Sequence, residues 1–142
     1  MVMTIIISVV LVASTVVVHY YALGRLLRLI PSDFQSHSHF LRSVSILLLI
    51  VVIHLIEILW FTAGYYIALE YCGIGRFTSS FKPVFLDYFY YSLVTYTTLG
   101  LSEFSAEGYL KIITGLEALT GFILITWSAT FFYTLMGREA EQ

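Results

Sequence analysis

The chain has 142 residues, 59% of them hydrophobic and 11% charged, with a formal net charge of −2. So apolar a composition excludes an ordinary water-soluble domain, and with no basic patch there is no surface for nucleic acid. The single cysteine, Cys72, excludes an internal disulfide framework and a cysteine-based zinc site.

The apolar residues fall into three blocks, at about 4–23, 44–69 and 110–136. Each reaches the roughly 20 residues that a helix needs to cross about 30 Å of hydrocarbon. The chain therefore reads as an integral, multi-pass membrane protein. The N-terminus lacks a basic stretch and a small-residue cleavage site, which reads against a cleavable signal peptide.

The first block is apolar on every face, with Ser14, Thr15 and His19 as minor polar points. It reads as a peripheral helix. Tyr20 and Tyr21 fall at its inner interface, with His19 beside them as an interfacial polar side chain. Residues 25–30 read as a short interfacial helix ending before Pro31. His37-Ser38-His39 offers two imidazoles at a spacing that a metal can use, although a solvated loop explains it as well. Arg25, Arg28 and Arg42 cluster between the first two blocks, and the positive-inside rule puts them in the cytoplasm. The N-terminus is then outside, and the C-terminus cytoplasmic.

In the second block His54, Glu57 and Trp60 are three apart and share one helix face. A Gly- and Ser-containing connector follows, up to Pro83, which is placed to open a helix at its first turn, with Asp87 near the positive end. From 84 to 97 the chain makes roughly 20 Å of helix, too short to span. A short helix that returns to the surface it left must be enclosed in protein, because lipid cannot satisfy the non-helical backbone behind it.

That short helix, Tyr90-Tyr91-Ser92-Leu93-Val94-Thr95-Tyr96, runs into Thr97-Thr98-Leu99-Gly100-Leu101-Ser102-Glu103 between two spanning helices. The segment resembles the pore helix and selectivity filter of tetrameric potassium channels, whose filter usually runs Thr-Val-Gly-Tyr-Gly-Asp. The resemblance covers roughly the last 100 residues and includes Gly121, near the hinge glycine of the family's inner helices. It implies an all-α homotetramer, each subunit with three transmembrane helices, a re-entrant pore helix and a filter loop. Residues 1–43 would be a peripheral helix and cytoplasmic loop. Residues 44–142 would be the pore module: outer helix 44–69, pore helix and filter 83–104, inner helix 108–136.

By the same resemblance, Thr97, Thr98, Leu99, Gly100, Leu101 and Ser102 line the conduction path, with a monovalent cation held at Thr98, Leu99 and Gly100. Tyr90, Tyr91, Val94 and Glu103 support it. Helical spacing alone would put Phe122, Ile125, Ala129 and Tyr133 on a cavity-facing stripe. Two positions depart from the family pattern. Leu101 stands for the usual tyrosine, which removes a bracing hydrogen bond. Ser102 stands for the second glycine, where a side chain at positive φ is costly. Weaker potassium-over-sodium discrimination is the expected consequence.

Glu57 and Glu117 lie inside spanning helices, where ionisable groups are rare and usually paired. Two readings stand: a helix-locking hydrogen-bond network with His54, Trp60, Thr120 or pore-helix groups, or a proton-sensitive network of His54, Glu57 and Glu117. The function expected is passive cation conduction in the cell membrane by a homotetramer. It needs the lipid bilayer but no cofactor, small-molecule substrate or catalytic residue. The rival readings are a non-conducting channel-like subunit and, more remotely, a haem protein ligated by His19 and His54, judged here to lie at different depths.

Overall fold

The computed structural model describes residues 1–29, 39–78 and 80–140. It is 79% helical. Three long helices dominate: α1 over Val2–Leu29, α2 over His39–Tyr66 and α4 over Leu110–Ala140. Their apolar stretches, Val2–Leu26, Phe40–Tyr71 and Leu110–Met136, are each long enough to cross a membrane. The fold is that of an all-α membrane protein with a fourth, short helix, α3, over Phe85–Tyr96. Twelve residues give α3 a length of about 18 Å, well short of a bilayer.

α1 packs on both α2 and α4. It is not apolar all round. Its buried residues are Thr4, Ser8, Leu11, Thr15, His19, Leu23 and Leu26, one seam at helical spacing, while Val9, Val10, Val17 and Val18 face outward. Thr4, Ser8, Thr15 and His19 thus point inward and these valines outward. The helix also runs to Leu29 rather than stopping near 23, absorbing most of the expected interfacial helix at 25–30. His19 consequently sits deeper than an interface residue. The His37-Ser38-His39 pair lies partly outside the described residues.

α2 ends in a π-helical turn over Ile67–Tyr71, closed by the Cys72 N–H on the Ile67 carbonyl at 3.2 Å. Cys72 is a half-buried free thiol. Beyond it the connector forms a feature the sequence reading lacked. Strand β1, Arg76–Phe77, pairs antiparallel with β2, Ala106–Glu107, in the register Arg76↔Glu107 and Phe77↔Ala106. This small sheet clamps the chain entering α3 to the chain leaving the segment after it.

α3 starts one residue later than expected. Val84, in extended conformation, is the N-cap, so Pro83 precedes the helix instead of opening its first turn. The role of Asp87 holds: its Oδ2 accepts the Lys82 backbone N–H at 2.8 Å, and its charge lies in the first turn. Around α3 lies an aromatic core that includes Phe61, Tyr65, Phe77, Tyr88, Tyr91, Tyr96 and Phe104. A second core of Leu23, Leu26, Ile46 and Ile50, with Phe131 and Met136 against it, joins the other ends of the three long helices.

Candidate functional site

α3 stops in a Schellman arrangement. The Thr98 N–H reaches the Thr95 carbonyl at 3.0 Å and the Leu99 N–H reaches the Val94 carbonyl at 3.0 Å. Thr98 occupies the left-handed position of this motif, φ 57°, where glycine is usual. A β-branched residue held there is strained. Gly100 is also left-handed, φ 65°, whereas Leu99 between them is not. Consecutive residues of opposite hand allow neighbouring carbonyls to face one way, unlike a strand, where they alternate. The C-terminal, negative end of α3 points to the start of this segment.

The predicted residues divide by burial. Thr98, Leu99, Gly100 and Leu101 are exposed, Leu99 at 61% and Leu101 at 68%. Thr97, half-buried, caps α3 with its Oγ1 on the Leu93 carbonyl at 2.7 Å. Val94 is buried behind the turn. Tyr91 is buried against Phe77 and Phe104, with its hydroxyl 3.0 Å from Thr114 Oγ1 on α4. The Tyr90 hydroxyl donates to the Leu101 carbonyl at 3.2 Å. This contact ties α3 to the loop at Leu101.

Ser102 does not carry the positive φ expected of it. Its Oγ donates to the Phe104 carbonyl at 2.6 Å and accepts the Phe104 N–H at 3.3 Å, folding the loop on itself. The strain anticipated at Ser102 is found at Thr98 instead. Glu103 is exposed, and its carbonyl accepts from Ser80 Oγ at 3.2 Å.

Gly121 is the seat of α3 on α4. A Cβ there would run into the Tyr96 carbonyl oxygen and come within 3.0 Å of the Tyr96 ring. α4 continues through this position as one helix. Its buried residues include Ile113, Glu117, Thr120, Leu124 and Ser128, leaving the stripe of Phe122, Ile125, Ala129 and Tyr133 exposed on the other side.

The buried carboxylates belong to two separate clusters rather than one network. Glu117 accepts from Ser92 Oγ on α3 and from the Tyr65 hydroxyl on α2, each at 2.5 Å. Thr120 is not among these partners; its hydroxyl bonds the Leu116 carbonyl. Glu57 meets His19 Nδ1 at 2.8 Å, His54 Nδ1 at 3.0 Å and the Tyr96 hydroxyl at 2.5 Å. Trp60 takes no part, since its indole N–H donates to Ser14 Oγ at 2.8 Å across the α1–α2 contact.

His19 was missed as a member of this cluster, and the different depths assigned to it and His54 are corrected. Their rings stack with centroids 5.4 Å apart. That stacking leaves no slot for a porphyrin between them, and both Nδ1 atoms are turned to one carboxylate. The arrangement does not fit haem.

A family model described as ion channel matches residues 52–138. No curated protein and no solved structure matches the chain.

Proposed function

The match spans well over half of its length, so the chain belongs to the ion-channel family, and from that premise we propose that it conducts potassium passively through the segment 97–102 as a homotetramer. Channel-like ion conduction by a multi-pass membrane protein follows from family membership; the ion, the path and the assembly are our reading. The observation that carries it is the left-handed pair Thr98 and Gly100, exposed at the end of a half-buried helix too short to span. Four such segments around an axis would supply rings of carbonyls that replace an ion's hydration shell.

The Thr98 hydroxyl and the carbonyls of Thr98, Leu99 and Gly100 are the ligands in this reading. The exposed Leu99 and Leu101 side chains would be covered by neighbouring subunits. Alternation of hand stops before Ser102, so the path has fewer complete carbonyl rings than an unaltered filter, and discrimination against sodium is reduced. Gly121 would serve as the inner-helix hinge, and Phe122, Ile125, Ala129 and Tyr133 would line the cavity. In this reading the protein lies in the cell membrane, and by the positive-inside rule Arg25, Arg28 and Arg42 favour an N-terminus outside and a C-terminus in the cytoplasm.

The test is a reversal potential in planar bilayers with opposed potassium and sodium gradients. Reversal near the potassium equilibrium value supports a selective filter. Reversal near zero with clear current means a non-selective cation pore. Silence from well-folded tetramers means a channel-like subunit that does not conduct.

A further inference from the structure

We propose that His19, His54 and Glu57 form a binding site for a divalent transition-metal ion of the zinc class, with the Tyr96 phenol oxygen as a fourth donor. This does not rest on conduction, or on the segment 97–102 being a filter.

The donors come from three elements and converge. His19 Nδ1 and His54 Nδ1 approach opposite oxygens of Glu57, at 2.8 and 3.0 Å, and His54 Nδ1 is 3.1 Å from the Tyr96 oxygen. The metal-ligating atoms of His19, His54 and Glu57 all lie within 4.8 Å of one another. Around a tetrahedral ion with bonds of about 2.0–2.1 Å, ligand atoms stand roughly 3.3 Å apart. Small outward movements of these side chains would therefore seat one. Imidazole nitrogen with carboxylate and phenol oxygen is a borderline donor set, suited to zinc, cobalt or copper rather than to calcium or magnesium. A histidine and a glutamate at i,i+3 facing a bundle interior, completed from other helices, is an arrangement that helical metal proteins use.

Charge points the same way. The side chains of His19 and Glu57 are fully buried. Among the described residues, the ion-pair partners of Glu57 are the two imidazoles. With both imidazoles neutral, the cluster carries an uncompensated negative charge inside a membrane-spanning bundle, which is costly. A cation bound here would pair with that carboxylate directly.

The surroundings fit a metal as well. With His19 Nδ1 on the ion, its Nε2–H faces Ser128 Oγ at 3.4 Å, the outer-shell acceptor that metal-bound imidazoles usually have. Beside Glu57 is a cavity of about 30 Å³, lined by Thr15, Val18, Ile56 and Trp60. Thr15 Oγ1 and His54 Nε2 are buried and have no hydrogen-bond partner among the described residues. The cavity has room for a water that would bond Thr15 Oγ1 and the Glu57 carboxylate.

The chain has four histidines and one cysteine, so a clean test is available. Full-length protein carrying His37→Ala, His39→Ala and Cys72→Ser, purified without a histidine tag, is titrated with Co²⁺ and followed by visible absorption. A Zn²⁺-loaded sample is measured by X-ray absorption. In this background only His19 and His54 can give imidazole scattering. The expected result is about one Co²⁺ per chain with the intense bands of four-coordinate nitrogen and oxygen ligation, and two imidazoles on Zn²⁺. His54→Ala or Glu57→Gln should weaken binding by more than about 100-fold. His54→Gln, which keeps a hydrogen-bond donor, separates metal loss from misfolding.

No Co²⁺ bands from folded protein would overturn the proposal and leave a proton as the only neutralising cation. So would a Zn²⁺ signal without imidazole scattering, or binding unchanged in folded His54→Ala. Should every variant fail to fold, the X-ray absorption of the background protein still decides.

Discussion

Ser92 Oγ on α3 lies 2.5 Å from one oxygen of Glu117 on α4, while the Tyr65 hydroxyl on α2 lies 2.5 Å from the other. One buried carboxylate thus fastens three helices. Removing one partner of a buried hydrogen bond leaves the other unsatisfied and costs about 1–3 kcal/mol. Ser92→Ala is expected to destabilise the detergent-solubilised protein by about 1–3 kcal/mol. Glu117→Leu should do worse, because it removes both contacts and leaves Ser92 only the Ile58 carbonyl and Tyr65 only Thr114 Oγ1. Urea unfolding followed by circular dichroism measures this. A Ser92→Ala midpoint equal to that of the parent would mean the contact contributes nothing.

Gly121 and Gly115 make a paired prediction on the same helix. A methyl group at Gly121 collides with the Tyr96 backbone, whereas one at Gly115 meets nothing within 4 Å. Gly121→Ala must push the end of α3 off α4, an overpacking cost of about 1–3 kcal/mol. It should also disturb the segment that follows Tyr96, reducing or abolishing ion flux. Gly115→Ala should stabilise by up to about 1 kcal/mol through helix propensity and leave flux intact. Thermal unfolding and liposome flux assays on both variants test the pair. Equal behaviour of the two would show that close approach at Gly121 is unimportant.

The three spanning helices and the short helix between the last two were legible, because run length and the cost of unsatisfied backbone in lipid leave few alternatives. The seam of α1 was not. Thr4, Ser8, Thr15 and His19 share one face only when the helix is read at its own period, and hydropathy averaged over the block hides that. The end of α1 was misjudged for a related reason. Gly24 and Arg25 suggest a stop, yet Leu26 is buried and carries the helix onward. Strands of two residues leave no alternation to read. In the candidate site, a turn after the short helix at Thr98-Leu99-Gly100 could be expected from type and order, but the hydroxyl of Tyr90 reaching the Leu101 carbonyl depends on how the loop folds back.

That Tyr90 contact predicts a change in selectivity rather than in stability. It is exposed and long, at 3.2 Å, so its loss should cost no more than about 1 kcal/mol. If it holds the outer carbonyls in place, Tyr90→Phe should move the bi-ionic reversal potential toward zero with little change in expression or unfolding. Leu101→Tyr with Ser102→Gly should move it toward the potassium equilibrium value. An unchanged reversal potential in Tyr90→Phe would show that the hydroxyl does not support the filter.

Thr98 sets stability against function most directly. Its backbone is left-handed, φ 57°, in the position where helices usually end on glycine. For a side-chain-bearing residue that conformation costs roughly 1–2 kcal/mol. Strain of this kind persists where the surrounding structure imposes it and is common at functional sites. Thr98→Gly should therefore raise the unfolding free energy by about 1 kcal/mol, while removing the hydroxyl proposed to meet the ion at the inner mouth. Unitary current and selectivity should fall as stability rises. Thr98→Ser keeps the oxygen without the branch and should retain conduction. Were Thr98→Gly to conduct and select like the parent, the hydroxyl would have no part in the path, and the left-handed turn would be only the end of a helix.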